Sequence, residues 1–371
     1  MSTARAARRI GILGRGQLAQ MLAEAGEPLG QVFEFVGEAG ARFQTGVDVV
    51  TFESECWSLR DVEHAAAGIP VCPAPRALEI GQDRRLEKSL FDRLGFATAR
   101  WVPVEGRDQL AGAVEGCGLP AVLKLRRGGY DGRGQWLIHT RADVARVADE
   151  LGGRAAILES FVSFQRELSI VAARGADGSV VSYPLAQNFH EHGCLRLTLA
   201  PARIDERVLH DARTMARTLL EELDYVGVLA LEMFEVANPG GRTILYANEI
   251  APRVHNSGHW TIEGAATSQF ENHLRAISGL PLGDTNARGP CAMVNLLGTL
   301  PPARDVQCVG GAHFHDYGKS PSPGRKLGHV TVCAADDVEL RQRLSELCER
   351  IGVELPAAAT RWMHSNSFGS I

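Results

Sequence analysis

Residues 127–135 read RGGYDGRGQ, and no other stretch limits the fold as tightly. Four of the nine residues are glycine, with Tyr130, Asp131 and Arg133 between them. PAVLK (120–124) runs into the stretch as a strand ending on Lys124, and QWLIHT (135–140) leaves it as another. Antiparallel strands can be joined by two residues, and every extra glycine adds backbone entropy that folding must remove. A loop this long, beside Lys124 and Arg133, therefore does more than turn the chain. It reads as a lid whose backbone N–H groups approach phosphate oxygens while the cations add charge. No GK[ST] follows, so it is not a P-loop.

Around this loop the strand and helix signals divide the chain. RRIGILG, VDVVTF and GIPVCP alternate with helical stretches at 17–29 and SLRDVEHAAAG, the signature of a parallel sheet flanked by helices. Residues 76–95 read as one long amphipathic helix. From Trp101 a strand, a helix (107–116), a strand (119–125), the glycine loop, a strand, a helix (141–151) and a strand (155–160) make a compact unit. A third region carries RELSIVAAR (166–174), VGVLALEMF (226–234), TILYANEIAPR (243–253) and a helix from Gln269, then a final strand and helix. The expected domains are 1–99, a Rossmann-like parallel-sheet unit; 100–165, a small central lid unit; and 166–371, an α+β unit with a small terminal subdomain.

Composition narrows the function. The chain has 371 residues, 45% of them hydrophobic, with net charge −5, which argues against a partner recognised by bulk electrostatics such as nucleic acid. Eight cysteines stand singly with no CxxC, the pattern of reduced thiols rather than a zinc cage. No apolar run approaches a membrane span, and residues 1–8 read as a loose basic extension. A cytoplasmic protein with no membrane partner is expected.

Four motifs carry chemistry. GRGQLA (14–19), with Glu34 about 20 residues on, fits the dinucleotide fingerprint. It fits equally a strand-to-helix turn whose amide donors face some other anion. Glu232 in LALEMF and Glu249 in YANEIAPR are acids in apolar runs. Each is either paired with a nearby arginine such as Arg253, or the two hold Mg²⁺ with Asn248 beside ATP phosphates. APRVHNSGHW (251–260) packs Arg253, His255, Asn256 and His259 just after the second carboxylate, without the HExxH of a zinc site, and so reads as a substrate pocket. The histidines His190 and His192 of NFHEHG likewise lack zinc spacing. PGRKLGH (323–329) offers Arg325 and Lys326 in a Pro/Gly turn, either solvated or anion-binding.

GRGQL, QDRRLEK, KLRRGGYDGRGQ, ESFVSFQREL, NFHEHG, LEMF, NEIAPRVHNSGHW and PGRKLGH together resemble the ATP-grasp superfamily, and within it the 5-(carboxyamino)imidazole ribonucleotide synthase family. The blocks extend from residue 11 to about 329. Arg15, where the family pattern has Gly or Asn, and the short segment after Gly30 depart from it. The resemblance implies an ATP-grasp fold in the α/β class and a ligase of purine synthesis. Its reaction joins 5-aminoimidazole ribonucleotide, ATP and bicarbonate through carboxyphosphate, with Mg²⁺ or Mn²⁺, in a homodimer.

The resemblance also implies roles. Arg84, Lys124, Gly129, Tyr130, Asp131, Gly132, Arg133, Gly134 and Gln135 contact ATP phosphates. Glu159, Ser160, Phe161 and Val162 form the adenine hinge, and Glu167 the ribose contact, with His190, Asn248 and Glu249 on the nucleotide's far side. Glu232, Glu249 and Asn248 hold the metal. Arg253, His255, Asn256 and Asp131 serve the reacting groups. Tyr130 and Asp131 orient the aminoimidazole, while Gln17, Lys319, Arg325 and Lys326 bind the ribonucleotide and its phosphate. Three rivals remain at this stage: another ATP-grasp ligase with a different amine substrate, a dinucleotide oxidoreductase, and a catalytically dead nucleotide-binding module.

Overall fold

The computed structural model describes residues 9–364 apart from Thr45, Tyr130, Asp131 and Pro239, so the extension expected at 1–8 lies outside the described residues. The chain builds three sheets in succession. β1 (Arg9–Leu13), β2 (Val32–Val36) and β3 (Val49–Phe52) form a parallel sheet in the order β2-β1-β3, with α1 (Gln17–Gly26) crossing from β1 to β2 and α2 (Leu59–Ala66) following β3. The strand expected at 68–73 contributes only a single bridge, Val50 to Val71. Pro70 and Pro73 flank that bridge and lack the N–H groups a ladder needs.

The helix expected over 76–95 is two helices, α3 (Pro75–Gln82) and α4 (Arg84–Arg93), broken at Asp83, whose backbone is extended. The Asp83 carboxylate accepts from Arg85 N at 3.1 Å, capping α4, and from the side chains of Arg126 and Arg127 at 2.8 and 3.0 Å. Capping preference and two distant cations outweigh the helical periodicity. The stem of the glycine loop is thereby tied to the start of α4.

β4 (Trp101–Val104), β5 (Ala121–Leu125), β6 (Gln135–Ile138) and β7 (Ala156–Ser160) form an antiparallel sheet in the order β4-β7-β5-β6. α5 (Leu110–Cys117) and α6 (Asp143–Leu151) cover it, burying Val104, Leu110, Leu123, Ile138, Val147 and Leu158 together. The glycine loop closes the β5–β6 hairpin.

The third sheet has nine strands: β8 (Arg166–Arg174), β9 (Val180–Ser182), β10 (Ala186–Glu191), β11 (Cys194–Ala200), β12 (Gly227–Ala237), β13 (Thr243–Ala251), β14 (Cys291–Leu297), β15 (Ala312–Asp316) and β16 (Lys326–Cys333). Their order is β13-β12-β8-β10-β11-β14-β16-β15, with β9 on β8. α7 (Glu206–Glu222) buries Ala212, Ala216 and Leu219 against β8, β12 and β13. α8 (Thr261–Gly264) and α9 (Gln269–Ile277) lie on the other side, where α9 also packs on α1 of the first sheet. α10 (Ala303–Gln307), α11 (Asp337–Ile351) and α12 (Ala357–His364) complete the chain.

The β10–β11 hairpin escaped the sequence reading. Its two-residue turn is His192–Gly193, both with positive φ (52° and 76°), and histidine is an unusual choice at the first of these. All eight cysteines are free thiols. Among the described residues no helix is long and apolar enough to cross a membrane.

Candidate active site

The small sheet and the large one meet across α4, and charged side chains from all three converge there. Lys124 on β5 pairs with Glu159 on β7 at 2.7 Å and donates to Asn248 Oδ1 on β13 at 3.2 Å. Lys88 on α4 pairs with the other oxygen of Glu159 at 3.1 Å and donates to the Asn248 carbonyl at 2.8 Å. Burial opposes ionisation of Glu159, but Lys124 and Lys88 outweigh it and hold the carboxyl down at about 2. The Glu159 side chain, 3% exposed, is therefore committed to the lysines, which leaves its backbone and the following Ser160, Phe161 and Val162 as the hinge a base would meet. Phe161, 48% exposed, presents its ring there.

Glu232 and Glu249 are direct register partners on β12 and β13. The register then slips, because Met233 faces Ala247 and leaves Asn248 as an extra residue. Successive strand residues normally point to opposite faces, and such a bulge re-aims a side chain. The bulge lets Asn248 meet Lys124 while adjacent Glu249 meets Arg84 at 2.9 Å. Burial and then the Glu249 charge push Glu232 up, whereas Arg84 and Lys124 hold Glu249 down in spite of its burial. His190 on β10 sits 2.8 Å from Glu167, and the carboxylates of Glu167, Glu232 and Glu249 raise it to about 9 against its burial.

The arginine partner of this carboxylate pair is Arg84, not Arg253. Arg253 is engaged elsewhere: its Nε donates to Glu55 at 2.8 Å and its Nη1 to Val254 O at 3.0 Å. His255 lies 3.6 Å from Glu232 and is fixed by Gln269, which accepts from its backbone N–H at 2.9 Å and donates to its carbonyl at 2.7 Å. Burial, then Arg253 and Lys326, lower the His255 imidazole to about 3, so it is neutral. Both amide atoms of the Asn256 side chain are buried without a hydrogen-bond partner among the described residues. An amide left so in a folded protein is costly unless a ligand completes it.

Lys319 reaches Gln17 on α1 and lies over the Tyr317 ring at 5.3 Å. Arg325 is exposed and donates to Ser320 O at 3.2 Å in its own turn. Lys326, the first residue of β16, is turned inward, and its charge acts on both Glu232 and His255. The turn thus splits its two cations between solvent and site.

The glycine loop reaches across to the large sheet. A Cβ at Gly132, where φ is +74°, would stand 2.4 Å from the carbonyl oxygen of His192 in the β10–β11 turn. Gly129, Arg133, Gly134 and Gln135 frame the rest of the loop, with Arg133 exposed; Tyr130 and Asp131 lie outside the described residues.

Sequence reasoning missed Lys88, which looks like an ordinary helix-surface lysine, and Glu53. The latter accepts from Gly16 N at 2.5 Å and Ala19 N at 2.9 Å, occupying the N-terminus of α1. A Cβ at Gly14 would lie 2.2 Å from its oxygen. The anion faced by GRGQLA is internal: Glu53 already takes amide donors that a pyrophosphate would use, which argues against the dinucleotide reading.

Residues 89–270 match the ATP-grasp domain family, and residues 291–343 the phosphoribosylaminoimidazole carboxylase C-terminal domain. The N5-carboxyaminoimidazole ribonucleotide synthase of Pseudomonas aeruginosa is 45% identical over 360 residues, covering 91% of this chain and 98% of the relative. The crystal structure of N5-carboxyaminoimidazole ribonucleotide synthetase from Thermus thermophilus superposes with TM-score 0.85 at 46% identity, covering 94% of this chain and 99% of that one. The Aspergillus clavatus synthase, solved with ADP and 5-aminoimidazole ribonucleotide, gives TM-score 0.82 at 29% identity over 93% of this chain and 99% of its own. With this α/β ATP-grasp fold and identity along nearly its whole length, the chain belongs to the N5-carboxyaminoimidazole ribonucleotide synthase family.

Proposed function

We propose that the chain joins 5-aminoimidazole ribonucleotide, ATP and bicarbonate into 5-(carboxyamino)imidazole ribonucleotide, ADP and phosphate, as an ATP-dependent carbon–nitrogen ligase of purine synthesis. The observation that carries the reading is the convergence of Arg84 and the register-paired Glu232 and Glu249 with Lys124, on the strand that leads into the glycine loop. Bicarbonate is a poor electrophile, so its oxygen first takes the γ-phosphoryl group of ATP, giving carboxyphosphate and ADP. The amine then attacks the carboxyl carbon, in carboxyphosphate itself or in CO₂ released from it, the bond to the phosphate oxygen breaks, and phosphate and a proton leave. Lys124 and Arg84 hold the ATP phosphates, Arg133 and the loop amides cover them, and Ser160 to Val162 with Glu167 take adenine and ribose. Asn256, neutral His255 and Arg253 grip bicarbonate and stabilise the charge that develops on it. Gln17, Lys319 and Lys326 take the ribonucleotide, with Arg325 at the rim and Tyr130 and Asp131 on its base. The lid keeps water from the carboxyphosphate.

The donor set fits magnesium. Glu232 and Glu249 are opposed carboxylates whose mutual repulsion a cation relieves, and among the described residues no third acid or histidine completes a protein cage. Such a site, with Asn248 alongside, suits Mg²⁺ or Mn²⁺ shared with ATP phosphates. When bound, the ion neutralises charge on the transferring phosphoryl group. The three sheets support domains of 1–99, 100–165 and 166–371, the last with a small terminal subdomain. A cytoplasmic homodimer without nucleic-acid or membrane partners completes the proposal. In the test, ATP turnover rises with 5-aminoimidazole ribonucleotide and not with glycinamide ribonucleotide, and ¹⁴C-bicarbonate enters the product. Stimulation by the glycinamide compound, without label incorporation, would point to another ATP-grasp ligase.

A further inference from the structure

We infer that Lys88 is a positioning residue that compensates the charge of Glu159 and so leaves the Lys124 ammonium free to take an ATP phosphate. The inference rests on the proposed ATP site, but its test does not depend on the ligase reaction. Lys88 is 1% exposed and touches nothing from solvent, so it cannot itself bind nucleotide. It belongs to a closed ring of four residues. Lys88 pairs with one Glu159 oxygen at 3.1 Å, and Lys124 with the other at 2.7 Å. Lys124 then donates to the Asn248 side chain at 3.2 Å, and Lys88 returns to the Asn248 carbonyl at 2.8 Å.

Charge decides what this ring does. With two ammonium groups and one carboxylate it carries a net single positive charge. Lys124 uses two of its three N–H donors inside the ring, one to Glu159 and one to Asn248, and has one left. Without Lys88, Glu159 and Lys124 become a buried pair of zero net charge. A phosphate approaching Lys124 would then meet a carboxylate 2.7 Å behind it with one fewer cation to offset its charge. In a buried setting, where charges interact strongly, this difference is large. The ring also ties four elements together. Lys88 comes from α4, Lys124 and Glu159 from β5 and β7 of the small sheet, and Asn248 from the bulge on β13, next to Glu249. The neighbouring Glu87 accepts from Ile250 N at 2.6 Å and fixes the same helix to the same strand.

Lys88→Met keeps the length of the side chain and removes its charge. ATP affinity, read by calorimetry with MgATP, should fall about 10- to 100-fold, the equivalent of one charge-assisted hydrogen bond. The KM for 5-aminoimidazole ribonucleotide should stay near that of the wild type. The double variant Lys88→Met/Glu159→Gln removes both compensating charges and restores a single positive charge at Lys124, so it should recover most of the lost affinity. Replacing a buried ion pair by neutral groups of similar size is tolerated by many folds, which keeps the test decisive should the single variant fail to fold. In that case the double variant is compared with Lys124→Met: affinity close to wild type supports the inference, and a loss as large as that of Lys124→Met overturns it. Wild-type affinity in Lys88→Met, or a double variant no tighter than the single one, overturns it as well. Wild-type protein that binds MgATP but incorporates no ¹⁴C-bicarbonate would sink the ligase reading and leave the role of Lys88 standing or falling on the affinities alone.

Discussion

Glu232 and Glu249 face one another across β12 and β13 and are proposed to hold the metal, so removing either charge should act on turnover rather than on folding. Glu232→Gln and Glu249→Gln keep shape and each should lower kcat by about 10²-fold or more, as expected for groups that stabilise transferred charge. Thermal unfolding should stay within a few degrees of wild type. Wild-type rates at limiting Mg²⁺ in either variant would take that residue out of the site. Lys326 and Arg325 are sequence neighbours with different surroundings, and the variants should separate them. Lys326→Ala should raise the KM for 5-aminoimidazole ribonucleotide about 10-fold or more through loss of a charge-assisted contact. Arg325→Ala, at an exposed position, should change it by less than about 5-fold. Equal effects from the two would contradict the inward turn of Lys326. At this scale the sequence showed which side chains matter where an acid or an amide interrupts an apolar or glycine-rich run. It was silent on Lys88, Glu53 and Glu55, because their partners lie between 34 and 198 residues away and only the fold brings them near.

The elements position those side chains through irregularities that periodicity does not announce. The bulge at Asn248 depends on the register of β12 against β13, and the break at Asp83 on two arginines more than 40 residues downstream. Strand and helix patterns around both features were readable, while the features themselves were not. The glycine loop is the opposite case, since its composition revealed a loop built for close approach. Gly132→Ala puts a Cβ where φ is +74° and where the His192 carbonyl leaves no space. The fold should survive, but the loop should no longer seat against the β10–β11 turn. Carboxyphosphate would then meet water, so ADP formed per product should rise above one and kcat should fall about 10-fold. An unchanged ratio of ADP to product in this variant would mean that seating on His192 is not what excludes water.

Across the whole molecule, the first sheet is joined to the large one by buried polar contacts as well as by the packing of α1 on α9. His273 on α9 accepts from Val228 N at 3.1 Å through Nδ1 and meets Thr51 on β3 at 2.9 Å through Nε2; Gln31 donates to Ser278 at 2.8 Å. Burial lowers His273 to about 4. The unfolded chain takes this proton near pH 6.5 and the folded chain only near 4, so the native state binds fewer protons between those values. The stability this histidine contributes, about 3 kcal/mol, is therefore complete above about pH 6.5 and is lost as pH falls to 4. His273→Asn should remove that share of the pH dependence in urea unfolding followed from pH 7 to 4. A variant with the wild-type slope would show that His273 is not the group responsible.

All of these parts serve one chemical claim, that bicarbonate is activated by phosphorylation before the amine captures it. Phosphorylation joins a bicarbonate oxygen to phosphorus, and capture by the amine leaves that oxygen in the released phosphate. The most direct measurement is a short incubation with ¹⁸O-bicarbonate, ATP, Mg²⁺ and 5-aminoimidazole ribonucleotide, with mass spectrometry of the phosphate and the carboxylated product. One ¹⁸O is expected in each phosphate released, with label in the product carboxyl group and no carboxylated product when any one reactant is left out. Unlabelled phosphate formed alongside labelled product would contradict that claim.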